Sequence, residues 1–285
     1  MSNVWLERRV LNFAHQGGAR EAPSSTLLAM RQAVAAGAHA LELDVHATAD
    51  RELVVCHDAT VDRTTNGSGP IASLRLEELQ RLDNAYWWVP GEVVATDRAD
   101  AEYVLRGRAP IDPSLRIATL RQVLEEFPDV FLNLDIKQTA PAVPPYEDLL
   151  AGLLQEFGRT DDVIVASFYE AATAAFAAFA PDVATAYGTT STALFLGAVG
   201  NGSEPPVTAD AAFQVPTEFL GMTIVDKAFV AAAHRLGVAV HVWTIDDGAE
   251  MARLVDLGVD GIMTDRPSVL AAVLADRQVA WTGKV

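Results

Sequence analysis

Glu42 and Asp44 lie two positions apart in the apolar run Ala40–His46, and Asp135 and Lys137 repeat that spacing at the end of the run Val130–Ile136. Residues i and i+2 of a strand share a face, so each pair presents both charges on one side. On a solvated edge that arrangement needs no compensation. On an interior face the carboxylates cost several kcal/mol each unless a cation or hydrogen bonds offset them. The chemistry that offsets them is an oxygen-ligand metal site made by Glu42, Asp44 and Asp135. Oxygen-only donors favour one divalent cation, Mg2+ or Ca2+ with Mn2+ a third candidate, over zinc. His15, between Phe13-Ala14 and Gln16-Gly17-Gly18, and His57, followed by Asp58, could flank such an ion. They would act as base and acid on opposite sides of a phosphorus centre, with Lys137 on a phosphate oxygen.

Other residues of the same types read as structural. His46 shares the Glu42 and Asp44 face and lines it without a catalytic role. His39 follows a helix end, His234 sits in a last helical turn and His241 lies mid-strand. Cys56 precedes His57, so in a strand it points to the opposite face and into the core.

The elements that must position these groups alternate along the chain. Strand-like runs are Val10–Ala14, Ala40–His46, Val130–Ile136, Val163–Phe168, Val183–Tyr187, Ala211–Val215, Ala239–Ile245 and Gly261–Thr264. Helix-period segments separate them. Leu120, Val123, Leu124 and Phe127 form one stripe, with a Thr119/Gln122 capping box and Pro128 as the stop; Asp226 and Gly237 bound another helix. Eight strands alternating with helices predict an α/β fold, a (β/α)8 TIM barrel, whose chemistry sits at the C-terminal strand ends.

Two stretches interrupt the alternation. Leu53–His57 follows Ala40–His46 without a helix, which demands an antiparallel hairpin, and a turn near Asp50-Arg51 places His57 roughly opposite Asp44. Residues 62–115 then form an inserted cap, with a helical stretch Leu76–Leu82 and the aromatic trio Tyr86-Trp87-Trp88. The span 1–285 reads as one barrel domain carrying that cap, although about 150 residues per domain would suggest two.

Charge narrows the partners. With 21 basic and 38 acidic residues the net charge is −17, which argues against nucleic acid and against an anionic membrane surface. A metal ion reverses the sign locally, so a single phosphate ester stays within reach. One cysteine allows no intrachain disulfide. The stretch Met1–Arg9 has no apolar run of signal-peptide length, no window is apolar enough to span a bilayer, and a cytoplasmic location is expected.

Several stretches resemble the glycerophosphodiester phosphodiesterase family. They are Phe13-Ala14-His15-Gln16-Gly17-Gly18, Gly37-Ala38-His39-Ala40-Leu41-Glu42-Leu43-Asp44-Val45 and the run Leu53 to Thr65 containing His57-Asp58. Thr119 to Leu124, Leu132-Asn133-Leu134-Asp135-Ile136-Lys137, Val242-Trp243-Thr244-Ile245-Asp246 and Gly258 to Pro267 follow in family order. The resemblance implies a (β/α)8 barrel with an insertion and His15 and His57 as the catalytic pair. It implies Glu42, Asp44 and Asp135 on a divalent ion, and Gln16, Lys137 and Trp243 facing a small glycerophosphodiester. The implied reaction yields glycerol 3-phosphate and an alcohol.

The sequence departs from the family pattern in three places. Gln16 replaces an Arg, Pro23-Ser24-Ser25-Thr26 replaces Pro-Glu-Asn-Thr, and Asp135 replaces a Glu. An Arg–phosphate grip is worth about 1.5–3 kcal/mol, roughly 10- to 150-fold in affinity. Arg20 is a candidate substitute from the same loop. Two alternatives follow: a phospholipase D-like lipid phosphodiesterase using Trp87 and Trp88 as a lipid edge, or a phosphoester-binding barrel without turnover.

Overall fold

The computed structural model describes residues 3–7 and 10–279. Residues 1–2 and 8–9 of the stretch read as free of a signal peptide, and 280–285 of the 1–285 span, lie outside the described residues.

Alternation sets the layers. In β2 (Ala40–Ala47), Leu41, Leu43 and Val45 face outward, while Glu42, Asp44 and His46 face the axis. The outward set packs on α2 (Leu27–Ala35), through Met30 and Ala33, and on α4 (Leu120–Glu126), through Val123 and Leu124. Each fully buried side chain of this kind contributes about 1.5–3 kcal/mol.

In chain order the remaining elements begin with α1 (Val4–Glu7), β1 (Leu11–His15), β3 (Leu53–Val55), α3 (Leu76–Leu79) and β4 (Phe131–Ile136). They continue through α5 (Glu147–Glu156), β5 (Val163–Ala166), α6 (Glu170–Phe179), β6 (Ala184–Thr185), α7 (Thr189–Asn201) and β7 (Ala212–Pro216). A small hairpin, β8 (Glu218–Phe219) and β9 (Met222–Thr223), precedes α8 (Lys227–Arg235), β10 (Ala239–Trp243), α9 (Gly248–Leu257), β11 (Gly261–Thr264) and α10 (Pro267–Asp276).

The main sheet runs β6-β5-β4-β2-β1-β11-β10-β7, all parallel, and an Ala186–Ala212 bridge joins its two ends. This is the expected (β/α)8 barrel. β3 is the expected antiparallel return on β2, with Val45 opposite Val55. Its register differs from the expected one by a residue: Cys56 N donates to Asp44 O at 2.9 Å, so Cys56, not His57, stands opposite Asp44. The cause is the turn, in which Thr48 N donates to Glu52 O and Arg51 takes a φ of +67°, centring the hairpin on Asp50.

Local signals held where side chains close the helix ends. Thr119 Oγ1 accepts from Gln122 N and Gln122 Oε1 accepts from Thr119 N, completing the capping box of α4. Asp226 Oδ1 accepts from Phe229 N at the start of α8. β5 stops at Ala166, short of Phe168, because Ser167 Oγ donates to Ile136 O and accepts from Tyr169 N, turning the chain. α3 ends at Leu79, three residues before the expected Leu82.

The barrel's N-terminal end is apolar. Trp5 of α1 packs on Phe13 and edge-on to Phe131, within a cluster including Leu11, Ile164 and Met263. Above it, Gln214 Nε2 of β7 donates across the barrel to Asn133 Oδ1 of β4 at 3.0 Å. That polar layer is the floor beneath the carboxylates. Among the described residues no helix is long and apolar enough to cross a membrane.

Candidate active site

Strand register brings the sequence-separated carboxylates together. His15 stands opposite Glu42 on neighbouring strands, and Asp44 opposite Asp135. His15 Nε2 lies 3.8 Å from Glu42 Oε2. Lys137 Nζ donates to Asp44 Oδ1 at 3.1 Å and lies 3.4 Å from Asp135 Oδ2. All five groups meet at the C-terminal ends of β1, β2 and β4, where a parallel barrel builds its site.

Each histidine has a carboxylate behind it. His15 Nδ1 is 2.7 Å from Asp265 Oδ1, just beyond β11. His57 Nδ1 is 2.7 Å from Asp58 Oδ1, and Arg63 donates to both oxygens of Asp58. With Nδ1 so held, Nε2 is the nitrogen left for chemistry, and that of His15 has Gln16 Nε2 as its neighbour at 3.2 Å. The two rings lie 6.4 Å apart, centre to centre.

The electrostatics follow from burial and crowding. Burial would depress His15, but the Glu42 charge and the bond to Asp265 override it and raise its pKa to about 9. Burial, then the neighbouring Asp44 charge, pushes Glu42 above the usual carboxylate range. Burial raises Asp135 to about 6 despite Lys137. Asp58 is held well below the usual carboxylate range, chiefly by its bond to His57 and then by Arg63.

These groups fit a hard cation. Asp44 Oδ2 and Asp135 Oδ1 are buried without a hydrogen-bond partner, and Glu42 is crowded by like charge. Buried oxygens of that kind call for a positive group. By donor type they suit such an ion, but among the described residues no three His, Cys, Asp or Glu side chains stand close enough together to hold one, and Lys137 sits between two of the three carboxylates.

The loop after β1 is unusually tight. Gly17 and Gly18 adopt φ of +83° and +90°, and a Cβ on Gly18 would meet Pro267 at 3.0 Å. Gln16 itself has φ +52°; its N donates to Glu42 O at 2.9 Å, and its Nε2 lies 3.2 Å from His15 Nε2. Trp243, at the end of β10, meets Phe168 edge-on at 6.0 Å, and Lys137 Nζ is 5.9 Å from the same Phe168 ring. Phe168 is an exposed aromatic at the mouth that sequence reasoning passed over.

Other expectations resolve by burial. Cys56 is buried, its thiol pushed up to about 12 by desolvation. His46 is buried with Nδ1 3.2 Å from Gln138 Oε1, and desolvation lowers its pKa. His234 pairs with Asp260, and His241 packs among Trp5 and Phe13. Trp88 is buried and Trp87 half-buried, and both indole N–H groups donate to backbone carbonyls.

Residues 15–269 match the profile of the Glycerophosphoryl diester phosphodiesterase family. A glycerophosphodiester phosphodiesterase of Caldanaerobacter subterraneus subsp. tengcongensis is 30% identical over 264 residues, covering 92% of this chain and 96% of the relative. This chain belongs to the glycerophosphodiester phosphodiesterase family. It is therefore an enzyme, a phosphoric diester hydrolase. The crystal structure of the Agrobacterium tumefaciens glycerophosphodiester phosphodiesterase, 25% identical, superposes with a TM-score of 0.70 over 93% of this chain and 99% of that one. An Oleispira antarctica phosphodiesterase solved with its product sn-glycerol-3-phosphate shares the fold, at 21% identity and a TM-score of 0.68, over 94% of this chain and 98% of that one.

Arg20, the candidate substitute for the missing Arg, is engaged away from His15. Its Nε donates to Asp246 Oδ2 at 2.9 Å and its guanidinium to Gly91 O at 3.2 Å. Asp246 Oδ1 in turn accepts from Asp265 N at 2.9 Å. Arg20 thus steadies the carboxylate behind His15. Asp265, Asp246 and Asp58 are supporting residues to which sequence reasoning assigned no role; only Asp58, adjacent to His57, carried a local signal.

Proposed function

We propose that this enzyme hydrolyses small glycerophosphodiesters to glycerol 3-phosphate and an alcohol, using one divalent cation and the His15/His57 pair. The observation that carries the reading is the pair of imidazoles 6.4 Å apart at the strand ends that carry Glu42, Asp44 and Asp135 in adjacent register.

Glu42, Asp44 and Asp135 are the residues that would hold the cation, Mg2+ or Ca2+ by donor type, with Mn2+ also suited. When bound, it neutralises charge developing on the phosphate oxygens. The chain's own groups divide the proton transfers. His15, whose Nδ1 is held by Asp265, gives a proton from Nε2 to the leaving alcohol oxygen. Its Nδ1–H stays with Asp265, which stabilises the imidazolium. His57, its Nδ1–H directed to Asp58, takes on Nε2 a proton from the attacking oxygen, which bonds to phosphorus as the bond to the leaving alcohol oxygen breaks; if that oxygen is a glycerol hydroxyl, water then opens the cyclic phosphate with the two rings' roles reversed. Lys137 neutralises Asp44 and Asp135 and presents its remaining donors to a phosphate oxygen. Trp243 and Phe168 bound the mouth on the other side.

The test is release of glycerol 3-phosphate from a water-soluble glycerophosphodiester by chelator-treated enzyme, before and after divalent cation is restored. Release only after restoration is the expected result. Tight substrate binding with no product under either condition would replace this reading with a binding-only barrel.

A further inference from the structure

Asn84 is buried at the centre of the segment between β3 and α4, and its side chain joins the two histidine loops. Its Nδ2 donates to Ser24 O at 2.9 Å, in the loop that follows His15. Its Oδ1 accepts from Thr64 Oγ1 at 2.5 Å, in the loop that follows His57. The two adjacent tryptophans repeat the pattern: Trp88 Nε1 donates to Ala19 O at 3.1 Å, and Trp87 Nε1 to Thr65 O at 2.9 Å. Gly91 N donates to Arg20 O at 3.0 Å. One short stretch is therefore tied alternately to both loops.

The tie bears on geometry that the loops do not hold alone. Gln16 and Ser25, near the two ends of the first loop, have φ of +52° and +58°, a region that non-glycine residues leave unless partners hold them. The tying stretch is itself stiff, because the Arg106 guanidinium stacks on Tyr86, Trp87 and Tyr103 at 3.5–4.7 Å and donates to Tyr86 O. Asn suits the bridging position because its amide offers a donor and an acceptor on the same carbon.

We propose that Asn84 is a positioning residue that sets the spacing of His15 and His57, with the segment around it acting as a template for the two histidine loops. The inference rests on the reading of His15 and His57 as the proton-transfer pair.

The test compares Thr64→Val, Thr64→Ser and Asn84→Asp with the wild type. Thr64→Val keeps the volume and removes the hydroxyl; Asn84→Asp keeps the acceptor and removes the donor. Displacements of this kind cost about 10- to 100-fold in kcat, with KM changed less than about 3-fold. Thr64→Ser, which restores the bond, is expected to recover most of kcat. Hydrogen exchange supplies a readout independent of turnover: in Thr64→Val, residues 16–26 and 58–66 are expected to lose protection together. If Asn84→Asp does not fold, Thr64→Val decides. Wild-type kcat in a folded Thr64→Val, failure of Thr64→Ser to recover it, or loosening of residues 58–66 alone would overturn the proposal. A wild type that releases no glycerol 3-phosphate refutes the functional reading instead, and the exchange result still decides the coupling.

Discussion

Asp265 Oδ1 lies 2.7 Å from His15 Nδ1, although 250 positions separate them in the chain. Barrel closure makes the pair: β1 and β11 are parallel neighbours, with Ala14 opposite Thr264. The next residue in each segment is therefore the histidine, which ends β1, and its carboxylate, just past β11.

Asp265→Asn keeps the shape and removes the charge behind the imidazolium. A drop in kcat on the order of 100-fold, with KM little changed, is expected from steady-state kinetics. An Asp265→Asn enzyme with wild-type kcat would mean that His15 needs no such partner.

Gln16→Arg restores the residue usual in the family beside His15. A guanidinium there adds charge-assisted bonds to the phosphate, so KM is expected to fall by roughly 10-fold or more. An unchanged KM would show that the substrate phosphate does not reach position 16.

The barrel was legible because its strands are buried on both faces and read as unbroken apolar runs, while Thr119 and Asp226 marked helix starts with their own side chains. The carboxylates were legible because Glu42 and Asp44 interrupt such a run with i, i+2 spacing. The support behind them was not. The His15–Asp265 and Thr64–Asn84 bonds form only once strand closure and the inserted segment bring distant residues together. The hairpin register slipped by one residue because the Arg51 turn conformation leaves little trace in its residue type.

Asp135→Asn removes one charged oxygen from the proposed cation site. Calorimetric titration of Mg2+ or Ca2+ into chelator-treated protein is expected to show affinity weakened on the order of 10-fold or more. Equal affinity in wild type and variant would remove Asp135 from the ligand set.

His241 tests the floor of the barrel. It is fully buried beside Trp5 and Phe13, neither ring nitrogen has a hydrogen-bond partner, and burial lowers its pKa to about 3. The unfolded chain binds the proton near pH 6.5. Between those values the unfolded state holds more protons, so this contribution is complete above about pH 6.5 and is lost as pH falls toward 3, by at most about 1.4 kcal/mol per unit. Denaturant midpoints across pH 7.5 to 4.5 should fall less steeply for His241→Leu than for the wild type. Parallel slopes would mean that the buried ring is not kept neutral by the fold.

The central claim is that His15 and the Glu42 carboxylate act on one phosphodiester. It is tested most directly by glycerol 3-phosphate release from a water-soluble glycerophosphodiester, with wild type, His15→Ala and Glu42→Ala run side by side at saturating divalent cation. Rapid release by the wild type and losses of about 100-fold or more in both variants are expected. Equal rates in all three would contradict it.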